Sequence, residues 1–246
     1  TGSAAEGLRA EGDRVRRETV GDEVHLRGII EFSSYCCRHC AYCGLRAESG
    51  DTRRYRVPPA EVITAACDAE ALGLRTVVLQ SGEDEWWTAE RLADMVAQIK
   101  GQTQLAVTLS IGERSKEEYR LLREAGADRY LLKHETSDPQ LYARLHPGTS
   151  LRERVGCLET LAELGFQIGT GCIVGLPGQT VESLADDLLL ARRLNVHMAG
   201  FGLLIPHPST PLSALTMGSP ELNLNIMALA RILIPDLLLA ATTALE

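Results

Sequence analysis

The stretch Thr76-Val77-Val78-Leu79-Gln80-Ser81-Gly82-Glu83 begins as an apolar, β-branched run and ends in polar residues. Such a run reads as a strand buried on both faces, followed by a loop. The layout recurs along the chain. Thr108 and Ser110 close an apolar run at 105–110, Lys133-His134-Glu135-Thr136 closes one at 129–133, and Pro206-His207-Pro208 follows one at 197–204. Polar groups gathered at the C-terminal ends of successive strands mark the mouth of a (β/α) barrel. An open doubly wound sheet concentrates them at one switch point instead.

Working outward, six strands are predicted, at Val24–Phe32, Thr76–Gln80, Leu105–Ser110, Arg129–Lys133, Phe166–Val174 and His197–Leu204. Helices lie between them. Pro58-Pro59 opens one over Ala60–Leu72, which Gly73 closes. Ser115-x-x-Glu118 and Ser150-x-x-Glu153 are capping boxes for helices that stop at Gly126 and Gly165. A shorter helix runs between Pro139 and Pro147, and two more cover Val181–Leu194 and Leu222–Leu233. The alternation implies βαβ units and a parallel sheet. The expected fold is α/β, a TIM-type barrel left incomplete, with about six strands and the start of a seventh near Ala241. Residues 1–20 are expected to form an N-terminal helical extension outside it, and residues 21–246 the barrel, truncated at its C-terminal end. With no initiating Met, the expectation is a fragment of a longer protein.

Composition narrows the function. The 246 residues carry 25 Lys and Arg against 33 Asp and Glu, a net charge of −8, with only 4% aromatics. An acidic chain without basic clusters or stacking platforms is a poor binder of nucleic acid or anionic membranes. No apolar run reaches the roughly 18–20 residues of a membrane span. The first residues hold no signal-peptide core, so a cytoplasmic location is expected. Seven cysteines, four of them within 36–43, read as metal binding in a chain of this size, not as a disulfide framework.

That cluster is Cys36-Cys37-Arg38-His39-Cys40-Ala41-Tyr42-Cys43. Cys36, Cys40 and Cys43 place three thiolates on one tight loop, one short of the four that a closed iron–sulfur or zinc site uses. A 4Fe–4S cubane held by three cysteines leaves one iron open. The amino and carboxylate groups of S-adenosylmethionine can chelate that iron, and an electron from the cluster can then break the sulfonium C–S bond. A zinc knuckle with a distant fourth ligand is the alternative, and plain core cysteines a second. Cys37 fits no ligand position, and Cys67, Cys157 and Cys172 read as core thiols. Tyr42 can face an adenine ring or simply pack beside the cluster. Ser81-Gly82-Glu83 has the form of a turn that approaches a ligand closely, with a carboxylate to receive an ammonium group. Glu135 can accept ribose hydroxyls and Arg154 can pair with a carboxylate, although each taken alone is more often a surface charge. Gly169-Thr170-Gly171 reads as a glycine-rich barrel strand with close backbone approach. His134 and His207, at strand ends, are candidates to touch substrate; His25, His39, His146 and His197 read as structural.

Assembled, these residues resemble the radical S-adenosylmethionine superfamily and, more closely, the HydE family of iron–iron hydrogenase maturases. The resemblance rests on Gly28-Ile29-Ile30-Glu31-Phe32-Ser33, the cysteine loop, Arg54-Tyr55-Arg56, Val78 to Asp84, and Leu109-Ser110-Ile111-Gly112-Glu113. It continues through Arg129 to Thr136, Gly175-Leu176-Pro177-Gly178-Gln179-Thr180 and Ile205 to Leu212. It implies that Cys36, Cys40 and Cys43 hold the cluster and that Ser81, Gly82 and Glu83 receive the methionyl amino group. It further implies ribose-side roles for Ser110 and Glu135, and a methionyl-carboxylate role for Arg154. Thr242 and Thr243 match an anion-binding pair deep in the family's barrel. Lys133 stands where the family pattern has Arg, which keeps the charge but loses the bidentate fork. The implied substrate is a small organometallic iron–cysteine species carrying carbon monoxide and cyanide. The implied partners are other hydrogenase maturases and an external electron donor. Competing readings are a related barrel enzyme such as methylornithine synthase or biotin synthase, and a non-catalytic metal-delivery scaffold.

Overall fold

Serine caps and prolines start the helices close to where the sequence places them. In the computed structural model, which describes residues 2–241, α1 spans Gly2–Thr19, α2 Pro59–Ala71, α3 Ala89–Gln102 and α4 Lys116–Glu124. They are followed by α5 (Pro139–Leu145), α6 (Leu151–Glu163), α7 (Val181–Arg193) and α8 (Pro220–Leu233). Both predicted capping boxes form: Ser115 and Glu118 close on α4, Ser150 and Glu153 on α6. Each pair satisfies two backbone donors that a bare helix end leaves open.

The strands are β1 (Gly28–Ser33), β2 (Thr76–Ser81), β3 (Ala106–Ser110), β4 (Arg129–Leu131), β5 (Gln167–Thr170), β6 (Ile173–Val174), β7 (Met198–Ala199), β8 (Gly202–Leu203) and β9 (Leu238–Leu239). One seven-stranded sheet runs β1-β2-β3-β4-β5-β7-β9 with every pair parallel. β6 and β8 form a second parallel pair beyond it. The result is a half-barrel, the incomplete TIM-type architecture expected. Val77, Leu79, Val107, Leu109, Tyr130 and Ile168 are sealed between sheet and helices, each aliphatic burial contributing about 1.5–3 kcal/mol.

Three strands differ from their predicted extent. Val24 to Arg27 stay outside β1, and Val24 and Leu26 are exposed there. The runs 166–174 and 197–204 each break in two, at Gly171 and Gly200. A Cβ at Gly171 (φ +154) would lie 2.1 Å from Gly200 O, so the two bends press backbone to backbone. That is the close approach for which the glycine-rich strand was read. The seventh barrel strand starts at Leu238, earlier than Ala241, in register with Met198. α1 packs on α8, where a Cβ on Gly12 would stand 3.0 Å from Ala228. Thr19 Oγ1 donates to Pro235 O at 2.6 Å. A cavity of about 560 Å³ opens at the N-terminal ends of the strands, beside Leu26, Arg27, Leu74 and Arg129, away from the polar mouth. No helix among the described residues is long and apolar enough to cross a membrane.

Candidate active site

The cysteine loop leaves β1 and is held by its carbonyls. Arg54 donates to Ser34 O, to Leu45 O at 2.9 Å and to Arg46 O at 2.6 Å. Beneath it, Arg56 grips the buried Asp84 with two bonds of 2.7 and 2.8 Å, and Ser33 Oγ donates to Asp84 at 2.6 Å. The loop then meets the turn after β2. Cys37 N donates to Glu83 O at 2.9 Å. A Cβ on Gly82 would stand 2.3 Å from Tyr35 O and 2.6 Å from Cys36 Cβ, so only glycine lets the turn come this close. On the other side Ala41 N donates to Leu145 O at 2.8 Å, which ties the loop to the end of α5. Gly44 packs against the His207 ring.

A chain of ion pairs crosses the mouth. Glu83 accepts from Arg38 Nε at 2.5 Å, and Arg38 Nη2 reaches Glu113 at 3.1 Å. Glu113 also accepts from Arg154 Nε at 2.6 Å, and Arg154 Nη1 donates to Lys133 O at 2.9 Å. Lys133 Nζ stands 3.1 Å from Glu135 Oε2. Arg154, on α6, is only 6% exposed. Burial works to lower its pKa, but the Glu113 carboxylate outweighs that and holds it charged. Burial likewise works to raise the Glu135 carboxyl, and Lys133 reverses the balance to hold it below the usual range.

Glu135 adopts φ +65, a left-handed backbone that a non-glycine residue rarely accepts. The conformation is bracketed, since Glu135 N donates to Gly171 O at 2.9 Å and Ile173 N donates to Glu135 O at 3.0 Å. Such strain persists where surrounding structure over-determines it and concentrates at functional sites. Oε2 is buried and accepts no aligned hydrogen bond, the Lys133 contact being an ion pair alone.

Cys36, Cys40 and Cys43 sit half-buried on the loop. Burial pushes the Cys40 thiol up to about 12, and Cys43 and Cys36 add to it by mutual repulsion. Among the described residues no three His, Cys, Asp or Glu side chains converge on a single ion; a cubane, unlike one ion, spreads its thiolates over separate irons. Three cysteine sulfurs close enough to repel one another as thiolates, with a buried carboxylate oxygen open to a hydroxyl donor, fit such a cluster and a ribose-bearing ligand beside it.

The structure brings Tyr42, Ser81, Gly82, Glu83, Lys133, Glu135 and Arg154 to one mouth with the cysteines. Ser110 joins them at the end of β3, in register with Gln80. Thr242 and Thr243 lie outside the described residues. His134 is corrected: it is fully buried, with Nδ1 3.0 Å from Thr170 Oγ1 and Nε2 3.2 Å from Asp187 on α7. Alternation along an extended chain sends residues 133 and 135 to the mouth and residue 134 to the helix layer. His146, read as merely structural, touches Cys40 Sγ through Nδ1 at 3.3 Å and Tyr42 Oη through Nε2. Arg38 and Glu113 were assigned no role from sequence.

The chain belongs to the radical SAM superfamily, whose family model matches residues 30–191. Within it, the chain falls in the family of HydE. It is 49% identical over 233 residues to the FeFe hydrogenase maturase subunit HydE of Thermotoga maritima, an alignment covering 95% of this chain and 67% of that protein. It is 28% identical over 235 residues to the 3-methylornithine synthase of Methanosarcina acetivorans, covering 95% and 67% of the two. A crystal structure of methylornithine synthase superposes with a TM-score of 0.90 at 27% identity, over 97% of this chain and 71% of that one. The protein is therefore a radical SAM enzyme, and its cofactors are a 4Fe–4S cluster and S-adenosylmethionine.

Proposed function

We propose that this enzyme is an iron–iron hydrogenase maturase of the HydE type. The observation that carries the reading is the 49% identity to HydE over 95% of the chain, against 28% to methylornithine synthase. Cys36, Cys40 and Cys43 would hold the 4Fe–4S cluster. When bound, the reduced cluster supplies the electron that breaks a sulfonium C–S bond of S-adenosylmethionine. Glu83 offers a carboxylate to the methionyl amino group, Arg154 a guanidinium to the methionyl carboxylate, and the backbone at Ser81 and Gly82 allows close approach. Ser110 and Glu135 face the ribose, and Tyr42 the adenine. Lys133 holds a positive charge at the mouth for an anionic substrate, and Thr242 and Thr243, by resemblance to the family, would bind an anion. The substrate is a small organometallic iron–cysteine species delivered by another maturase, with the electron from an external donor.

α1 packs on α8 from outside the sheet, which supports residues 1–20 as an extension and 21–246 as the barrel unit. A cysteine cluster that reads as metal binding and not as a disulfide framework suits a reducing cytoplasm. Anaerobic reconstitution, chemical reduction and addition of S-adenosylmethionine test the chemistry. Release of 5′-deoxyadenosine is expected, and its absence would leave only a metal-delivery scaffold. Glu83→Ala and Arg154→Ala are expected to raise the dissociation constant for S-adenosylmethionine, by about 2–5 kcal/mol each if the truncated contact is buried. Restored hydrogenase activity in cells lacking their own HydE tests the maturase assignment, and failure there beside intact 5′-deoxyadenosine release would favour a related barrel enzyme.

A further inference from the structure

We propose that His146 sets the reduction potential of the cluster by donating an N–H···S hydrogen bond to Cys40, with Tyr42 fixing the tautomer that makes this possible. The proposal rests on Cys40 being a cluster ligand. The geometry is specific. His146 caps the C-terminus of α5, its N bonded to Tyr142 O at 2.8 Å, and its ring stacks on Tyr142 with centroids 4.6 Å apart and planes 11° from parallel. The bond from Ala41 N to Leu145 O, one residue to either side, fixes the loop against this helix end. Nδ1 thereby stands 3.3 Å from Cys40 Sγ, and Nε2 faces Tyr42 Oη.

Proton counting decides the roles. A thiolate bound to iron has no proton to give, so the contact at Cys40 holds only if Nδ1 carries the hydrogen. A neutral ring then has a bare Nε2, which must accept, and the Tyr42 hydroxyl is the donor beside it. Hydrogen bonds to cluster sulfurs stabilise the more negative, reduced state and raise the potential. Partners that orient a ligand's neighbours tune a metal site without touching the metal. His146 is thus a positioning and tuning residue, not a ligand.

The test is the midpoint potential of the reconstituted cluster, followed by electron paramagnetic resonance during a reductive titration without S-adenosylmethionine. His146→Leu is expected to shift the midpoint negative by roughly a tenfold weaker reduction, about 59 mV for one electron. Tyr42→Phe frees the tautomer and is expected to shift it less, in the same direction. His146→Asn places an amide N–H near Nδ1 and is expected to return the midpoint toward wild type. Wild-type midpoints in both His146→Leu and Tyr42→Phe, at full iron and sulfide content, overturn the proposal. If His146→Leu does not assemble a cluster, an unchanged midpoint in Tyr42→Phe overturns it alone. A wild-type protein that holds no 4Fe–4S cluster overturns the ligand assignment underneath, a result separable by iron analysis before any titration.

Discussion

Gly82→Ala adds one methyl group where the turn after β2 meets the cysteine loop. Its φ lies in the ordinary range, so the effect is contact alone. The new Cβ would stand 2.3 Å from Tyr35 O, 2.6 Å from Cys36 Cβ and 3.0 Å from Tyr35 C. Carbonyl backbone cannot swing aside as a side chain can, so the loop must retreat by at least about 0.7 Å to reach even the closest tolerated contact. A retreat in that direction stretches the 2.9 Å bond from Cys37 N to Glu83 O toward 3.6 Å, beyond useful hydrogen bonding. Overpacking of this kind costs about 1–3 kcal/mol, and the lost bond about 1 kcal/mol more. For a chain of this size the sum lowers Tm by roughly 4–16 °C. Gly101→Ala is the control, since its Cβ meets nothing within 4 Å near the end of α3. There the better helix propensity is expected to gain up to about 1 kcal/mol. Thermal unfolding under anaerobic conditions reads both, and iron and sulfide analysis reads the loop. A Gly82→Ala protein that matches Gly101→Ala in Tm and cluster content would falsify the contact argument.

Further outcomes follow from the same geometry. Cys36→Ser, Cys40→Ser and Cys43→Ser are each expected to lose the cluster on reconstitution while Cys37→Ser, an exposed position, keeps it; an intact cluster in Cys40→Ser refutes the ligand set. Glu113→Gln leaves the buried Arg154 guanidinium without its carboxylate, at about 3–5 kcal/mol, and Arg154→Met is expected to cost less because Glu113 keeps Arg38 at 3.1 Å. The double variant is expected to cost less than their sum by about 0.5–3 kcal/mol in urea unfolding, and strict additivity would show that the pair does not interact. Asp84 is held below the usual carboxylate range: burial works to raise it, but Arg56, Ser33 and the Trp86 N–H prevail. Its contribution is therefore complete above the unfolded value of about 3.9 and is lost as pH falls through the lower folded value. Asp84→Asn is expected to cost about 1.5–3 kcal/mol at pH 7 and to flatten the acid limb of stability; an unchanged limb tells against the assignment.

What the sequence disclosed was mostly local. Ser115 with Glu118, and Ser150 with Glu153, act over three residues, so spacing alone reveals them. The cysteine spacing is local in the same way, and the polar strand ends repeat often enough to give the barrel. What it hid was long-range. Arg38 carries no signal in the sequence, because its partners Glu83 and Glu113 lie 45 and 75 residues away. His146 is 106 residues from Cys40, and only the docking of the α5 end on the loop joins them. His134 was misjudged for a different reason: strand alternation, visible in the sequence, already sends it away from the residues on either side.

The pairing of the charges at the mouth explains how so many can be tolerated there. Glu83, Glu113 and Glu135 carry three negative charges, and Arg38, Arg154 and Lys133 three positive ones, linked in one chain. Each is paired, so none bears the full desolvation cost of an isolated ion. Arg38 and Glu113 also contact each other at 3.1 Å. A ligand that drew Glu83 to an amino group and Arg154 to a carboxylate would therefore leave these two paired with each other, and neither would bear an uncompensated charge in the mouth.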